Sequence, residues 1–150
     1  MCILISALTR LSEPLPDLSR LQQLHTDATV KPAVVQNRFY AESGHDCALR
    51  AFCRANDMAY QSFWTLTANP LLLEHQAIRN CSKRLGKTPA QCMYRFLMHL
   101  GATPLNGTCN AQHMAEDLQA ARNEFALSLD EVRALAAAIG DTPPDALADA

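Results

Sequence analysis

Between Lys31 and Pro70 the spacing of apolar positions changes twice. Ala33–Gln36 is a short apolar run. Asp46–Asn56 places Leu49, Phe52 and Cys53 at i, i+3 and i+4, with Arg50, Arg54 and Asp57 turned outward. Met58–Phe63 is again strand-like. The pattern predicts strand, amphipathic helix and strand, with Gln36 and Phe63 at or near the two strand ends. A polar loop carrying Thr65, Thr67 and Asn69 follows. Parallel strands joined by a helix place their exit loops on one side, at the C-terminal strand ends where α/β folds bind ligands.

The rest of the chain repeats this unit. Ile3–Ser6 reads as a short buried strand, and Asp17–His25 as a short helix with Leu18, Leu21 and Leu24 at helical spacing. Asp46 is placed to cap the helix that follows it. A helix is expected from Leu71 to Leu85 with Leu71, Ile78, Cys81 and Leu85 on one face, closed by Gly86. Thr88-Pro89-Ala90-Gln91 is a strong helix start, followed by a Met93, Phe96, Leu97, Leu100 stripe. Thr103–Leu105 reads as another strand. Asn110 caps a helix to about Glu124 with Met114, Leu118 and Ala121 inward, and Ser128-Leu129-Asp130-Glu131 opens the last helix, with Val132, Leu135, Ala136 and Ile139 buried. Four strands alternating with helices imply α/β architecture with parallel strands. Four such strands with helices on one face form half of a (β/α)8 barrel, with two open edges and an uncovered inner face.

Composition narrows the function classes. With 150 residues the chain suits one domain. We divide it into an N-terminal segment 1–30, a half barrel 31–140 and a flexible tail 141–150. A net charge of −2 gives no basic footprint for nucleic acid. No apolar run is long enough to span a bilayer. The first charge, Arg10, follows the opening apolar run rather than preceding it, against a secretory signal. None of the six cysteines forms a CxxC pair, so reduced cytoplasmic thiols are expected, with Cys53, Cys81 and Cys92 as small core residues and no metal site.

KPAVVQN, YQSFWTLTANPLL, GKTPAQCMYRFLMHLG and TPLNGTCNAQHMAEDL, in that order, resemble the second half of an aldo-keto reductase over about residues 31–140. The resemblance implies a (β/α)8 barrel that binds NADP(H) across its C-terminal strand ends and reduces aldehydes and ketones by hydride transfer. Gln36 is similar to the glutamine that bonds the nicotinamide carboxamide. Phe63 stands where a tyrosine usually stacks on the nicotinamide. Trp64, Leu66 and the threonines of that loop fall where the family wraps the pyrophosphate. Thr108 replaces a serine and His113 an arginine at the 2′-phosphate, while Glu116 and Asp117 match a pair near the adenine. Gly107 stands where a lysine is common.

The departures at Gly107 and His113 remove two expected cations, which leaves the choice between NADPH and NADH open. The family's Asp/Tyr/Lys/His tetrad comes from the barrel's first half and has no counterpart here, so no catalytic residue is assigned. Loss of a positioned general acid costs roughly 10²–10⁴ in rate. The sequence therefore supports a truncated NADP-dependent oxidoreductase domain, inactive alone. Two alternatives stand beside it: an interaction module that dimerises or docks with a complementing half through its open barrel edges, and a non-functional gene fragment.

Overall fold

The computed structural model describes residues 17–142. The expected Ile3–Ser6 strand lies outside them. Three parallel strands, β1 (Val34–Arg38), β2 (Ala59–Phe63) and β3 (Ala102–Pro104), form an open sheet in the order β1-β2-β3. Helices α1 (Leu18–Asp27), α2 (Cys47–Ala55), α3 (Pro70–Leu73), α4 (Gln76–Leu85), α5 (Pro89–His99), α6 (Ala111–Ala121) and α7 (Leu129–Ala138) complete the described chain, with a 3-10 segment at Ala41–Asp46.

Alternation along each strand separates two faces. Val35, Asn37, Tyr60, Ser62 and Ala102 are buried. Val35, Tyr60 and Ala102 join a core that includes Leu49, Ile78, Met93, Phe96, Leu97 and Leu135. The opposite face carries Gln36, Gln61 and Thr103 in one register row, with Gln36 and Thr103 exposed. A closed barrel fills this face with bulky apolar side chains; here the row is polar and wet.

Cys53, Cys81 and Cys92 are core residues, as their helical positions suggest. Burial raises the Cys53 and Cys92 thiols to about 11 and that of Cys81 to about 12. The capping boxes at Thr88/Gln91 and Ser128/Glu131 both form.

Several expectations change. The 71–85 helix is broken: α3 ends at Leu73, and α4 restarts with the His75 ring accepting from the Ala77 N–H at 3.2 Å. Leu71, expected on the inner face, is 83% exposed on the short α3. Arg50 turns inward instead of outward. Its Nε donates to the His45 carbonyl at 3.0 Å and its terminal nitrogen reaches Asp141 at 2.6 Å. That ion pair also anchors Asp141, the first residue of the expected tail. On α6 the inner position is Ala120, packed with Tyr94 and Phe125. Met114 and Leu118 are 46% and 50% exposed, and Ala121 is exposed as well. Their apolar stripe has helical period, but no described element covers it.

Asp46 does not cap α2 with its side chain. It is buried, and its carboxyl accepts from Asn37 Nδ2 at 2.7 Å and from the Tyr60 hydroxyl at 2.8 Å. One acceptor thus joins β1, β2 and the start of α2. Gly44, His45 and Asp46 all take left-handed backbone (φ 59, 52 and 54°), which for the two non-glycine residues costs about 1–3 kcal/mol each. The two hydrogen bonds to Asp46 offset that strain. Tyr60→Phe removes one donor from a buried acceptor. We expect it to lower stability by about 1–3 kcal/mol, read as a lower urea midpoint with an unchanged slope.

Candidate functional site

β1 and β2 end side by side. Their register pairs Gln36 with Gln61 and Arg38 with Phe63, so Gln36 and Phe63 lie diagonally on the open face. Phe63 is half-buried and meets Trp64 edge-on, with ring centroids 6.4 Å apart. Trp64 is 57% exposed and left-handed (φ 56°), turning the chain sharply out of β2.

The loop after Trp64 is more internally bonded than its polarity suggests. Thr65, expected as a free donor, is buried, its hydroxyl 2.9 Å from that of Ser62. Asn69 is also buried, donating to the carbonyls of Phe39 (2.7 Å) and Thr65 (2.9 Å). Its Oδ1 lies 3.1 Å from His45 Nε2. The side chain of Leu66 packs between the main core and the Tyr94 cluster. Thr67 remains exposed.

A second group surrounds the exit of β3. Thr108 and Asp117, together with Tyr94, Met98, Pro104, Asn106, Met114, Leu118 and Ala121, line a cavity of about 380 Å³. The Thr108 hydroxyl accepts from the Asn110 N–H at 3.1 Å. Asp117 accepts from Asn106, and burial raises its carboxyl above the usual range despite that bond. Glu116, half-buried, accepts from Gln112 one turn earlier, while its carbonyl accepts from Gln91. His113 is exposed. The Asn110 side chain already accepts from the N–H groups of Gln112 and His113 at 2.8 and 3.2 Å. A phosphate at this helix start would have to displace it.

The eight expected residues therefore form two groups. Gln36, expected to end its strand, sits in the middle of β1 because that strand runs on to Arg38, while Phe63 ends β2 with Trp64 and Leu66 just beyond it; Thr108, His113, Glu116 and Asp117 lie beyond β3. Sequence reasoning missed Arg38, whose guanidinium carbon sits 4.2 Å from the Trp64 ring centre and 5.2 Å from that of Tyr40. The signal was its position two residues beyond Gln36 on a strand, hence on the same face. No cluster of three or more His, Cys, Asp or Glu able to hold a metal occurs among the described residues. No described helix is long and apolar enough to cross a membrane.

Burial of His45 lowers its imidazole pKa, and the nearby Arg50 charge adds to the effect, outweighing the Asn69 bond. Burial lowers His99 in the same direction. The unfolded chain then takes up protons near the ordinary histidine value while the folded chain resists them. Stability is fully present above about pH 6.5 and is lost as pH falls through that value toward the lowered folded pKa. Urea midpoints should fall between pH 7.5 and 5.5. His45→Asn, which tolerates left-handed backbone, should flatten that dependence; an equally steep profile in the variant would count against His45 as its source.

No family model matches the chain. A protein of Arthroderma otae described as a probable NAD(P)H-dependent D-xylose reductase xyl1 is 35% identical over 71 residues, which is 47% of this chain and 21% of that protein. Among solved structures, the aldo-keto reductase MGS-M4 from a Medee basin deep-sea metagenome superposes with a TM-score of 0.71 at 16% identity, over 81% of this chain and 44% of that one. The aldose reductase of Schistosoma japonicum gives 0.71 at 20% identity, over 84% and 40%. A Gox0644 variant in complex with NADPH gives 0.68 at 23%, over 79% and 42%. The chain thus spans less than half the length of each of these relatives. The local sequence match and the shared fold together show it to be related to the aldo-keto reductases, over a region that corresponds to part of their barrel.

Proposed function

We propose that the chain is a nicotinamide-cofactor-binding portion of an aldo-keto reductase-like oxidoreductase, with carbonyl reduction requiring residues from a completing partner. One observation carries this reading: Gln36, in the middle of β1, and Phe63, at the C-terminal end of the adjacent parallel β2, are diagonal neighbours on the open face, two residues out of register. That spacing lets the Phe63 ring stack on a nicotinamide while Gln36 bonds its carboxamide. The Gox0644 variant was solved with NADPH, and the curated relative is described as NAD(P)H-dependent; both support this cofactor class. Within the sequence no Asp/Tyr/Lys/His tetrad is assigned, so the chain alone is proposed to bind without turnover.

The 2′-phosphate end is the weaker half of the site. Gly107 contributes no cation, yet a Cβ added there meets nothing within 4 Å and its φ is not left-handed, so a side chain fits. Titration with NADPH and with NADH, followed by Trp64 fluorescence, tests the reading. Saturable quenching by either cofactor is expected, with little preference between them. Gly107→Lys should strengthen NADPH relative to NADH by about tenfold, the scale of one charge-assisted hydrogen bond. No binding up to millimolar cofactor by a folded chain sinks this reading.

The groove beside α6 favours a second reading, that of an interaction module. Exposed Met114 and Leu118 join Tyr94 and Met98 next to β3, an edge strand of the described sheet. Under this reading the chain self-associates through the groove. Sedimentation should then show a concentration-dependent dimer that Met114→Ser with Leu118→Ser abolishes.

A further inference from the structure

We propose that Arg38 forms an oxyanion-binding site at the C-terminal end of β1, taking a phosphate or carboxylate group on the open face of the sheet.

Arg38 is the last residue of β1 and lies in register with Phe63. Its guanidinium rests 4.2 Å from the centre of the Trp64 ring and 5.2 Å from that of Tyr40. Stacking of this kind fixes the plane of the cation without consuming its hydrogen bonds. Arg38 Nε is buried and has no hydrogen-bond partner. Its terminal nitrogens are not enclosed in this way, and no described residue accepts from them. None of the ion pairs among the described residues includes Arg38. The buried arginines behave differently: Arg50 is bonded to the His45 carbonyl and to Asp141, and Arg95 to the Ala120 carbonyl and Asn123. Arg38 is thus a positive charge stacked against aromatic rings, in no ion pair with a described residue and with terminal N–H groups from which no described residue accepts.

A planar fork with two parallel donors matches a carboxylate or phosphate in bidentate geometry. The aromatic support lowers the entropy lost on binding, because the side chain is already placed. Parallel sheets bind ligands beyond their C-terminal ends, and Arg38 stands there, one residue pair from Gln36. The left-handed backbone of Trp64 brings its indole over Arg38 instead of following the outgoing loop. The same oxyanion chemistry has two sources at this place: the diphosphate of a dinucleotide, or the carboxylate of an acidic substrate.

Calorimetric titration of the full 150-residue chain, at constant ionic strength set with sodium chloride, separates them. The probes are inorganic pyrophosphate and benzoate, neither of which carries a nicotinamide. Absence of NADPH or NADH binding therefore leaves this proposal standing, and the two readings fail separately. Saturable binding of pyrophosphate alone points to a cofactor diphosphate; of benzoate alone, to a substrate carboxylate; of both, to a site open to either. In each case Arg38→Gln should abolish binding, and Arg38→Lys, which keeps the charge and loses the fork, should weaken it by about tenfold. If Arg38→Gln does not fold by circular dichroism, Trp64→Leu takes its place and should weaken binding several-fold. No binding of either probe, or an affinity unchanged in the folded Arg38→Gln or Trp64→Leu variant, overturns the proposal.

Discussion

The buried carboxyl of Asp46 is the constraint on which the arrangement of the C-terminal ends of β1 and β2 depends. Asn37 and Tyr60, from adjacent strands, both donate to it. Burial and the neighbouring Asp46 hold the Tyr60 phenol protonated, so that it remains a donor. To present its acceptor there the chain crosses three consecutive left-handed residues, a conformation that isolated L-residues avoid. Around this point Asn69 ties the outgoing loop of β2 back to the carbonyl that follows β1, and Arg50 fastens the strained turn to Asp141. The ends of β1 and β2, and the side chains they present, are placed by this buried polar network more than by apolar packing.

That distinction explains what the sequence made legible. Elements governed by local rules were readable. The capping boxes at Thr88 and Ser128 and the stripes of α5 and α7 appear where their residue types require. The parallel strands follow from alternation of strand and helix signals. Elements governed by distant partners were not. Asp46 has the side chain of a cap, and nothing local reveals that Tyr60, fourteen residues on, claims it. Arg50 has the polarity of a surface residue, and its partner lies ninety-one residues away. The α6 stripe was read as a core face because periodicity reports that a surface is apolar, and says nothing about what covers it.

The candidate site shows the same division. The proximity of Gln36 and Phe63 follows from strand register alone. The stacking of Arg38 on Trp64 depends on a left-handed turn that no glycine announces. Thr65 reads as a donor for a ligand, yet its hydroxyl is taken up by Ser62 of β2. A polar residue in a binding loop is available only after the backbone around it has been satisfied.

The groove beside α6 has a further consequence, set by the kind of atoms that line it. Met98 and Met114 are unbranched thioethers that change rotamer at little cost and adapt to varied shapes. An apolar surface built from them conforms to its occupant instead of selecting it. Discrimination then falls to the polar rim of Asn106, Thr108 and Asp117, where a misplaced donor or acceptor would go unmatched. The same thioethers are also open to oxidation. Conversion to sulfoxide would make a compliant apolar trough polar, so the apolar character of this face depends on the redox state of its surroundings.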